Sequence, residues 1–183
     1  MKRISRHLIP AAAITICVIA ATVVRAQDED QGNEANRYVV TNLVSDLPGQ
    51  ANVRDTNLKT SWGVAFSPAA SPFWIADNAT GLSTLYQGDG TIVPLVVTIP
   101  CPPHPGQGSS CPQTAAPTGV AWNPTTNPTT AFLVPGTTKP ASFIFATEDG
   151  TISAWTGGLT PPDAAVLAVD NSTNPTAAFG AVY

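Results

Sequence analysis

The sequence predicts an all-β fold, and three observations indicate it. Short apolar or alternating runs recur between clusters of Gly, Pro, Asn and Asp, a pattern typical of strands and turns. Beyond the N-terminal segment, no window of useful length carries apolar residues at the spacing of an amphipathic helix. Strand-like segments also recur: Gly63-Val64-Ala65 returns as Gly119-Val120-Ala121, and Asp89-Gly90 returns as Asp149-Gly150. The chain is therefore predicted to contain a series of similar β units.

Residues 1–26 have the layout of a secretory signal peptide. Residues 1–6 are basic, residues 8–24 form an uncharged apolar run, and Val24 and Ala26 place a β-branched and a small residue at positions −3 and −1 of the expected cleavage site. Cleavage is predicted between Ala26 and Gln27. An uncleaved membrane anchor is the alternative, because the apolar run is at the short limit of what spans a bilayer. We prefer cleavage, because the acidic residues that follow suit processing better.

Removal of this segment leaves a strongly acidic chain. The whole sequence has eight Lys and Arg against twelve Asp and Glu, a formal net charge of −4. The signal peptide holds Lys2, Arg3, Arg6 and Arg25 but no carboxylate, so the mature chain carries a net charge of −8. Such a charge keeps a protein soluble and repels polyanions, which argues against nucleic acid as a partner. We expect a secreted, periplasmic or cell-surface protein with no stable membrane insertion after cleavage.

The mature chain is predicted to contain one β domain. Residues 27–37 are polar throughout and are interpreted as a flexible linker, and the domain is expected to span 38–183. The predicted strands, each bounded by turn-forming residues, are Tyr38–Val44, Trp62–Phe66, Phe73–Asp77, Ser83–Gln87, Ile92–Ile99, Thr118–Trp122, Ala131–Val134, Ser142–Thr147, Thr151–Trp155 and Ala165–Val169.

Two repeats are predicted at about 58–115 and 116–175, followed by the start of a third. About four strands in roughly 50–60 residues match one blade of a β-propeller, so we predict a partial propeller. The small Gly-Val-Ala strand is expected innermost in each blade, and each Asp-Gly dipeptide is expected to form a type I′ hairpin turn. The aromatic residues expected between blade faces are Trp62, Phe66, Phe73, Trp74, Trp122 and Phe132.

Closure of a propeller takes about four to eight blades. Two blades leave faces open that are normally buried. The chain is therefore interpreted as a fragment of a longer protein, or as one that associates to close.

Cys101 and Cys111 are the two cysteines of the mature chain. An oxidising compartment predicts that they form a disulfide, which would restrain the Pro- and Gly-rich segment between them. A metal site formed with His104 is the alternative, but this segment supplies no fourth ligand.

The run from Phe73 to Tyr86 resembles the strand-turn-strand core of NHL-type propeller repeats. Together with this run, further segments resemble a family of uncharacterised secreted bacterial β-propeller proteins, some of which end in a cell-surface sorting tail. These segments are Asn42–Asp46, Ser61–Val64, Val93–Pro100, Phe143–Ser153 and Val169–Ser172. The resemblance covers nearly all of 38–183 and implies a propeller fold. It implies no site, because the family has no agreed catalytic residues, and the excursion between Cys101 and Cys111 departs from it as an insertion.

Three polar residues that follow predicted strands are candidates for chemistry: Asp77, Glu148 and Asp170. Propeller lactonases, which such blades resemble distantly, hold a divalent cation on the axis with oxygen ligands from different blades. These three carboxylates are therefore candidate axial ligands. The alternative, which we prefer, is that they bond to nearby backbone amides as turn formers. A ring-stacking role for Trp62 or Trp155 is also left open.

A noncatalytic role is the preferred interpretation of the sequence. No Gly-x-Ser-x-Gly elbow occurs, and His104, the only histidine of the mature chain, has no positioned acid partner. We expect an exported propeller-type binding or scaffolding module for a protein or small-molecule ligand, with no cofactor. The alternative is the N-terminal part of a lactonase-like or other hydrolase propeller, which would need a divalent cation.

Overall fold

Two four-stranded antiparallel sheets make up most of the computed structural model, which describes residues 38–69, 71–102 and 115–173. The described residues contain ten strands and no helix, so the all-β prediction is confirmed. Accordingly, no helix among them could cross a membrane. The described residues from Val40 onward belong to one compact unit.

The strands are numbered in chain order. They are β1 (Val44–Ser45), β2 (Val53–Arg54), β3 (Ser61–Ala65), β4 (Phe73–Asp77), β5 (Leu82–Tyr86), β6 (Val97–Thr98), β7 (Pro117–Trp122), β8 (Phe143–Thr147), β9 (Thr151–Trp155) and β10 (Val166–Asp170). The first sheet has the order β3-β4-β5-β6 and the second has the order β7-β8-β9-β10. Strands β1 and β2 form a separate parallel pair.

The two sheets share details of backbone geometry. In each, a register shift interrupts the pairing of the first two strands, next to Gly63 in one and Gly119 in the other. Each glycine is paired with an alanine, Ala76 or Ala146. In the first sheet the amide of Asn78 donates to the carbonyl of Thr60 at 3.1 Å, and in the second Glu148 donates to Ala116 at 2.9 Å. Strands β3 to β6 therefore correspond one by one to β7 to β10.

The main core lies between the two sheets. Trp74 of β4 stacks on Phe143 of β8, with ring centroids 4.1 Å apart and planes 20° from parallel. The Trp74 ring also lies 4.6 Å from that of Trp155 on β9. Other buried residues of this core are Leu85, Val97, Ile99, Ala115, Phe145 and Ala165. Aromatic side chains bury more apolar area than other residues, so these rings contribute strongly to the core.

Several predicted strands are shorter in the structure or absent from it. Of Ile92–Ile99 only β6 is a strand, because Pro94 has no amide hydrogen to continue the ladder. Ala131–Val134 forms only an isolated bridge, between Leu133 and Pro140. The predicted first strand, Tyr38–Val44, is limited to β1 at its end.

The two Asp-Gly dipeptides occupy different turns, contrary to the predicted repeat. Asp149-Gly150 lies between β8 and β9, whereas Asp89-Gly90 follows β5, and Asn78–Gly81 forms the turn between β4 and β5. The type I′ prediction is also wrong. That turn needs positive φ at both central residues, whereas only the glycines have it, at 88° for Gly90 and 77° for Gly150.

The aromatic residues do not all lie between the sheets. Trp74 does, and Trp122 packs at the edge of the same core. Trp62, Phe66 and Phe73 are instead 53%, 55% and 39% exposed. Alternation along β4 explains Phe73, because it points to the side opposite its neighbour Trp74.

Candidate functional site

The side of the first sheet that points away from the second carries a row of apolar residues, which we call the open face. It consists of Val64, Phe66, Phe73, Ile75 and Tyr86. Strand register places Val64 opposite Ile75 and Phe73 opposite Tyr86, so these side chains project from one side. Phe66 joins them through an edge-to-face contact with Phe73, with ring centroids 5.5 Å apart.

The corresponding side of the second sheet, the closed face, is covered by the first sheet. Its residues, matched to the open face through the shared register, are Val120, Trp122, Phe143, Phe145 and Trp155. The difference in exposure is large: Phe143 is 4% exposed but its counterpart Phe73 is 39% exposed. Val64 is 62% exposed, whereas its counterpart Val120 packs against the core.

A groove of about 430 Å³ lies on the open face. Phe73, Ile75 and Tyr86 line one side of it, and Leu43 and Leu58 from the segment before β3 line the other. We call this groove the socket. The matching positions on the second sheet, Phe143, Phe145 and Trp155, surround the ring of Trp74. The socket therefore corresponds to the position on the second sheet against which the indole ring of Trp74 packs.

Two buried carboxyl groups lie beside the socket, and both are bonded within the chain. The hydroxyl of Tyr86 donates to Oδ2 of Asp55 at 2.9 Å. Asp77 is fully buried and accepts three hydrogen bonds: from the hydroxyl of Ser61 at 3.0 Å, and from the amide and hydroxyl of Thr84 at 3.1 and 2.7 Å. Because Ser61, Asp77 and Thr84 lie on β3, β4 and β5, these bonds join three adjacent strands.

Burial raises the pKa of Asp77 from 3.8 to about 6. The hydrogen bonds from Thr84 and Ser61 oppose this rise, and the charge of Asp55 adds to it. Burial also raises the pKa of the Tyr86 hydroxyl, and the neighbouring Asp55 carboxylate raises it further. Asp77 therefore changes protonation in mildly acidic solution, while the Tyr86 hydroxyl remains a hydrogen-bond donor.

The three candidate axial ligands do not form one site. Asp77 faces Ser61 and Thr84, as described above. Glu148 is exposed and accepts a hydrogen bond of 3.1 Å from the side-chain amide of Asn78, which joins the turns after β4 and β8. Asp170 is exposed and accepts from the amide and hydroxyl of Ser172, at 3.0 and 2.6 Å. In the described ranges, no three His, Cys, Asp or Glu side chains are grouped in an arrangement that could hold a metal ion.

The turn-forming interpretation holds for Asp170 and is incomplete for Asp77. Asp170 bonds within its own turn, as an Asp after a strand commonly does. Asp77 instead bonds across the sheet. Cys111, Ala26 and Gln27 lie outside the described residues, so the disulfide from Cys101 and the cleavage site stay predictions.

Two aspects of this region were missed from the sequence. Asp55 and Tyr86 are 31 positions apart, and no local pattern connects them. The open face did have a signal: Phe73, Trp74, Ile75 and Ala76 are apolar at consecutive positions, which indicates a strand that is covered on both sides.

No family model, curated protein or solved structure matches the chain. The resemblance to a secreted propeller family therefore stays a prediction.

Proposed function

We propose that the chain is an exported propeller-type binding or scaffolding module, and that the socket on the open face is its binding site. One observation carries this proposal: the side of the first sheet that contacts the second sheet is not the side that the second sheet uses for the same contact. Trp74 belongs to one side of the first sheet, and Phe143, Phe145 and Trp155 belong to the other side of the second.

Stacking of this kind is heterologous, because the two surfaces in contact are different. Each added unit leaves one surface of each kind unused. Blades of a propeller are related in this way, which supports the interpretation of the two sheets as two blades. The counterpart of the open face on the second sheet is a packing surface. We therefore expect the open face to be a contact surface as well.

The chemistry of the socket favours an apolar, ring-shaped group. Its walls are mainly aromatic and aliphatic, although Thr41, Asn42 and Gln87 also line it. The nearest carboxyl groups already accept hydrogen bonds from Tyr86, Ser61 and Thr84. In the second sheet the matching positions surround an indole ring at van der Waals distance. A binding role also agrees with the separate hydrogen bonding of Asp77, Glu148 and Asp170, which the hydrolase alternative would need together.

Indole itself is a suitable probe. We expect saturable chemical-shift changes at the methyl groups of Ile75, Leu43 and Leu58 when indole is added. The variant Ile75→Trp should fill the socket from within and weaken indole binding at least about tenfold, since an isolated apolar contact of this size is worth more than 1.4 kcal/mol.

Leu47→Trp is the matched control. Leu47 is 57% exposed and does not line the socket, so this variant adds an indole ring elsewhere and should bind the probe as the parent does. Equal indole binding by the parent and by Ile75→Trp, with both chains folded by circular dichroism, would contradict the proposal.

A further inference from the structure

We infer that a second groove, at one end of the second sheet, binds a neutral saccharide. We call this groove the cleft, and its lining includes Trp122, Asn123, Pro140, Ser142 and Thr156. Its volume is about 400 Å³, within the range of about 300–1,000 Å³ that small-molecule sites occupy. No described residue lines both the cleft and the socket, so this inference does not rest on the proposed function.

The ends of β7, β8 and β9 form the cleft. Trp122 is the last residue of β7, Ser142 directly precedes β8, and Thr156 directly follows β9. Because these strands are antiparallel neighbours, the three residues lie at the same end of the sheet. The amide of Asn123 donates to the carbonyl of Ser142 at 2.9 Å, and the amide of Ser142 donates to the carbonyl of Trp155 at 2.7 Å. The ladder thus continues into the cleft and fixes its backbone.

The indole ring of Trp122 forms the apolar wall of the cleft. Trp122 is half-buried and packs at the edge of the main core, so the core restrains its ring from one side. Pro124 and Pro140, whose backbones are restricted, also line the cleft. A flat and restrained aromatic surface suits a pyranose ring, because the C–H groups on one face of such a ring form an apolar patch.

A pair of hydroxyl groups supplies hydrogen bonds in the cleft. The side-chain oxygens of Ser142 and Thr156 are 2.9 Å apart. Only one of the two hydroxyls can donate to the other, so the second keeps its hydrogen and both keep acceptor lone pairs. The side-chain amide of Asn123 is fixed as well, since it donates to the carbonyl of Ala141 at 2.9 Å and accepts from the amide of Thr125 at 3.1 Å. The cleft therefore presents donors and acceptors in fixed positions.

The repeated fold does not require this hydroxyl pair. The shared strand register matches Ser142 to Pro72 and Thr156 to Gln87 in the first sheet. Proline has no hydroxyl group, so the first sheet forms its four strands without such a pair. A polar pair that is present in the second sheet alone indicates a role other than strand pairing.

The neutrality of the cleft indicates the class of ligand. None of the described residues that line it is charged. A charged ligand would lose hydration there without gaining an ion pair, and an anion would also be repelled by a chain of net charge −4. The hydroxyl groups of a neutral saccharide both donate and accept, as those of the cleft do. An aromatic wall beside neutral hydroxyl groups is therefore complementary to a sugar ring.

Titration with sugars, followed through the ring NMR signals of Trp122, tests the inference. The probes are glucose, galactose, mannose and N-acetylglucosamine, together with cellobiose and chitobiose. We expect saturable changes with at least one of them. The matched uronic acid, which carries a carboxylate on the same ring, should bind at least about tenfold more weakly, because no cation in the cleft can pair with it. Equal binding of the acid would contradict a site for neutral sugars.

Three variants, compared by titration calorimetry, locate the binding site. Thr156→Val removes one hydroxyl of the pair with little change of shape, and Trp122→Leu removes the flat ring but stays apolar. Each should weaken sugar binding about three- to tenfold. Thr118→Val is the matched control: Thr118 is half-buried and donates to the carbonyl of Ala146 at 3.4 Å, but it does not line the cleft. Its sugar binding should equal that of the parent, and circular dichroism checks that every variant is folded.

The outcomes also separate the cleft from the socket. If none of the sugars binds, or if Thr156→Val and Trp122→Leu bind them as the parent does, the inference is overturned. Ile75→Trp, which fills the socket, should bind sugar as the parent does. Loss of sugar binding in Ile75→Trp alone would place the sugar in the socket and contradict the inference. If indole binds and no sugar does, the proposed function stands without the cleft.

Discussion

Gly63 and Gly119 lie where the first strands of the two sheets meet, and only one of them has room for a side chain. A Cβ atom on Gly63 would lie 2.9 Å from the Cα atom of Gly119 and 2.9 Å from the amide nitrogen of Val120. A Cβ atom on Gly119 would meet nothing within 4 Å. The side chain of Gly63 would point into the second sheet, whereas that of Gly119 would point away from the first. The backbone thus shows the same arrangement as the side chains, in which the two sheets contact each other through sides that do not correspond.

Gly63→Ala should destabilise the domain, and Gly119→Ala should not. The first variant forces two backbones apart, an overpacking effect that costs about 1–3 kcal/mol of unfolding free energy. The second adds a methyl group in open space and should stabilise the strand by about 0.5–1 kcal/mol. Urea denaturation measures both values. Equal values for the two variants would show that the first strands do not approach each other in this way.

Trp74→Ala should lower the unfolding free energy by about 3–5 kcal/mol, because it removes the buried ring that joins the sheets. Trp62→Ala is the matched control: Trp62 is 53% exposed, and its loss should change stability by about 0.5 kcal/mol or less. The two variants are compared by chemical denaturation. A smaller effect for Trp74→Ala than for Trp62→Ala would contradict the position of the core.

The stability of the domain should decrease as the pH rises from about 4 to 6, through the titration of Asp77. The folded chain holds this proton up to about pH 6, while the unfolded chain releases it near 3.8. Over that interval the folded state binds more protons than the unfolded state, so the free energy of unfolding falls with pH. Asp77→Asn should remove this dependence, as measured by urea denaturation at a series of pH values.

Thr84 provides a matched pair of variants for this titration. Thr84→Val removes the hydroxyl that donates to Asp77 at 2.7 Å, so the pKa of Asp77 should rise further and the fall in stability should extend to higher pH. Thr84→Ser retains the hydroxyl and should keep the parent profile. Identical profiles for the two Thr84 variants would show that this bond does not control the titration.

Export should remove the first 26 residues. The intact mass of the chain recovered from outside the cytoplasm should correspond to a start at Gln27, because Val24 and Ala26 occupy positions −3 and −1 before it. Replacement of Ala26 by a bulky charged residue, Ala26→Arg, should block cleavage at this bond and retain the larger mass. A mature chain that still begins at Met1 would rule out the signal peptide.

The mature chain should contain no free thiol. Alkylation under denaturing, nonreducing conditions should leave Cys101 and Cys111 unlabelled, and reduction should allow both to react. Cys111→Ser should then expose one thiol at Cys101. Two labelled cysteines in the unreduced parent chain would contradict the predicted disulfide.

The sequence predicted most of the strands and matched Gly63-Val64-Ala65 correctly with Gly119-Val120-Ala121, but it failed on the correspondence of the turns. Phe73–Asp77 and Thr151–Trp155 were located from their apolar runs, because strand formation depends on local composition. The two Asp-Gly dipeptides were matched to each other, but the strand pairs place them in different turns. A dipeptide of two common turn formers recurs by chance, whereas the hydrogen bonds between strands define equivalence.

The hydrogen-bond partners of the candidate site residues could not be predicted from the sequence. Asp77 was singled out as a ligand or a turn former, and it is instead a buried acceptor that joins three strands. Its partners Ser61 and Thr84 are 16 and 7 positions away in the chain, so only the pairing of β3, β4 and β5 brings them together. Glu148 and Asp170 were singled out in the same way, and each bonds to a different neighbour.

By itself, the sequence determined that this protein is built of strands, that glycine recurs at the start of two similar units, and that the chain is acidic. These properties depend on residue type and short-range order. Only the tertiary structure decided which side of each sheet is covered. Alternation puts apolar residues on both sides of β4, so the sequence does not indicate which side is buried. Stacking made that choice by placing Trp74 against Phe143 and leaving Phe73 exposed, and this choice defines the open face.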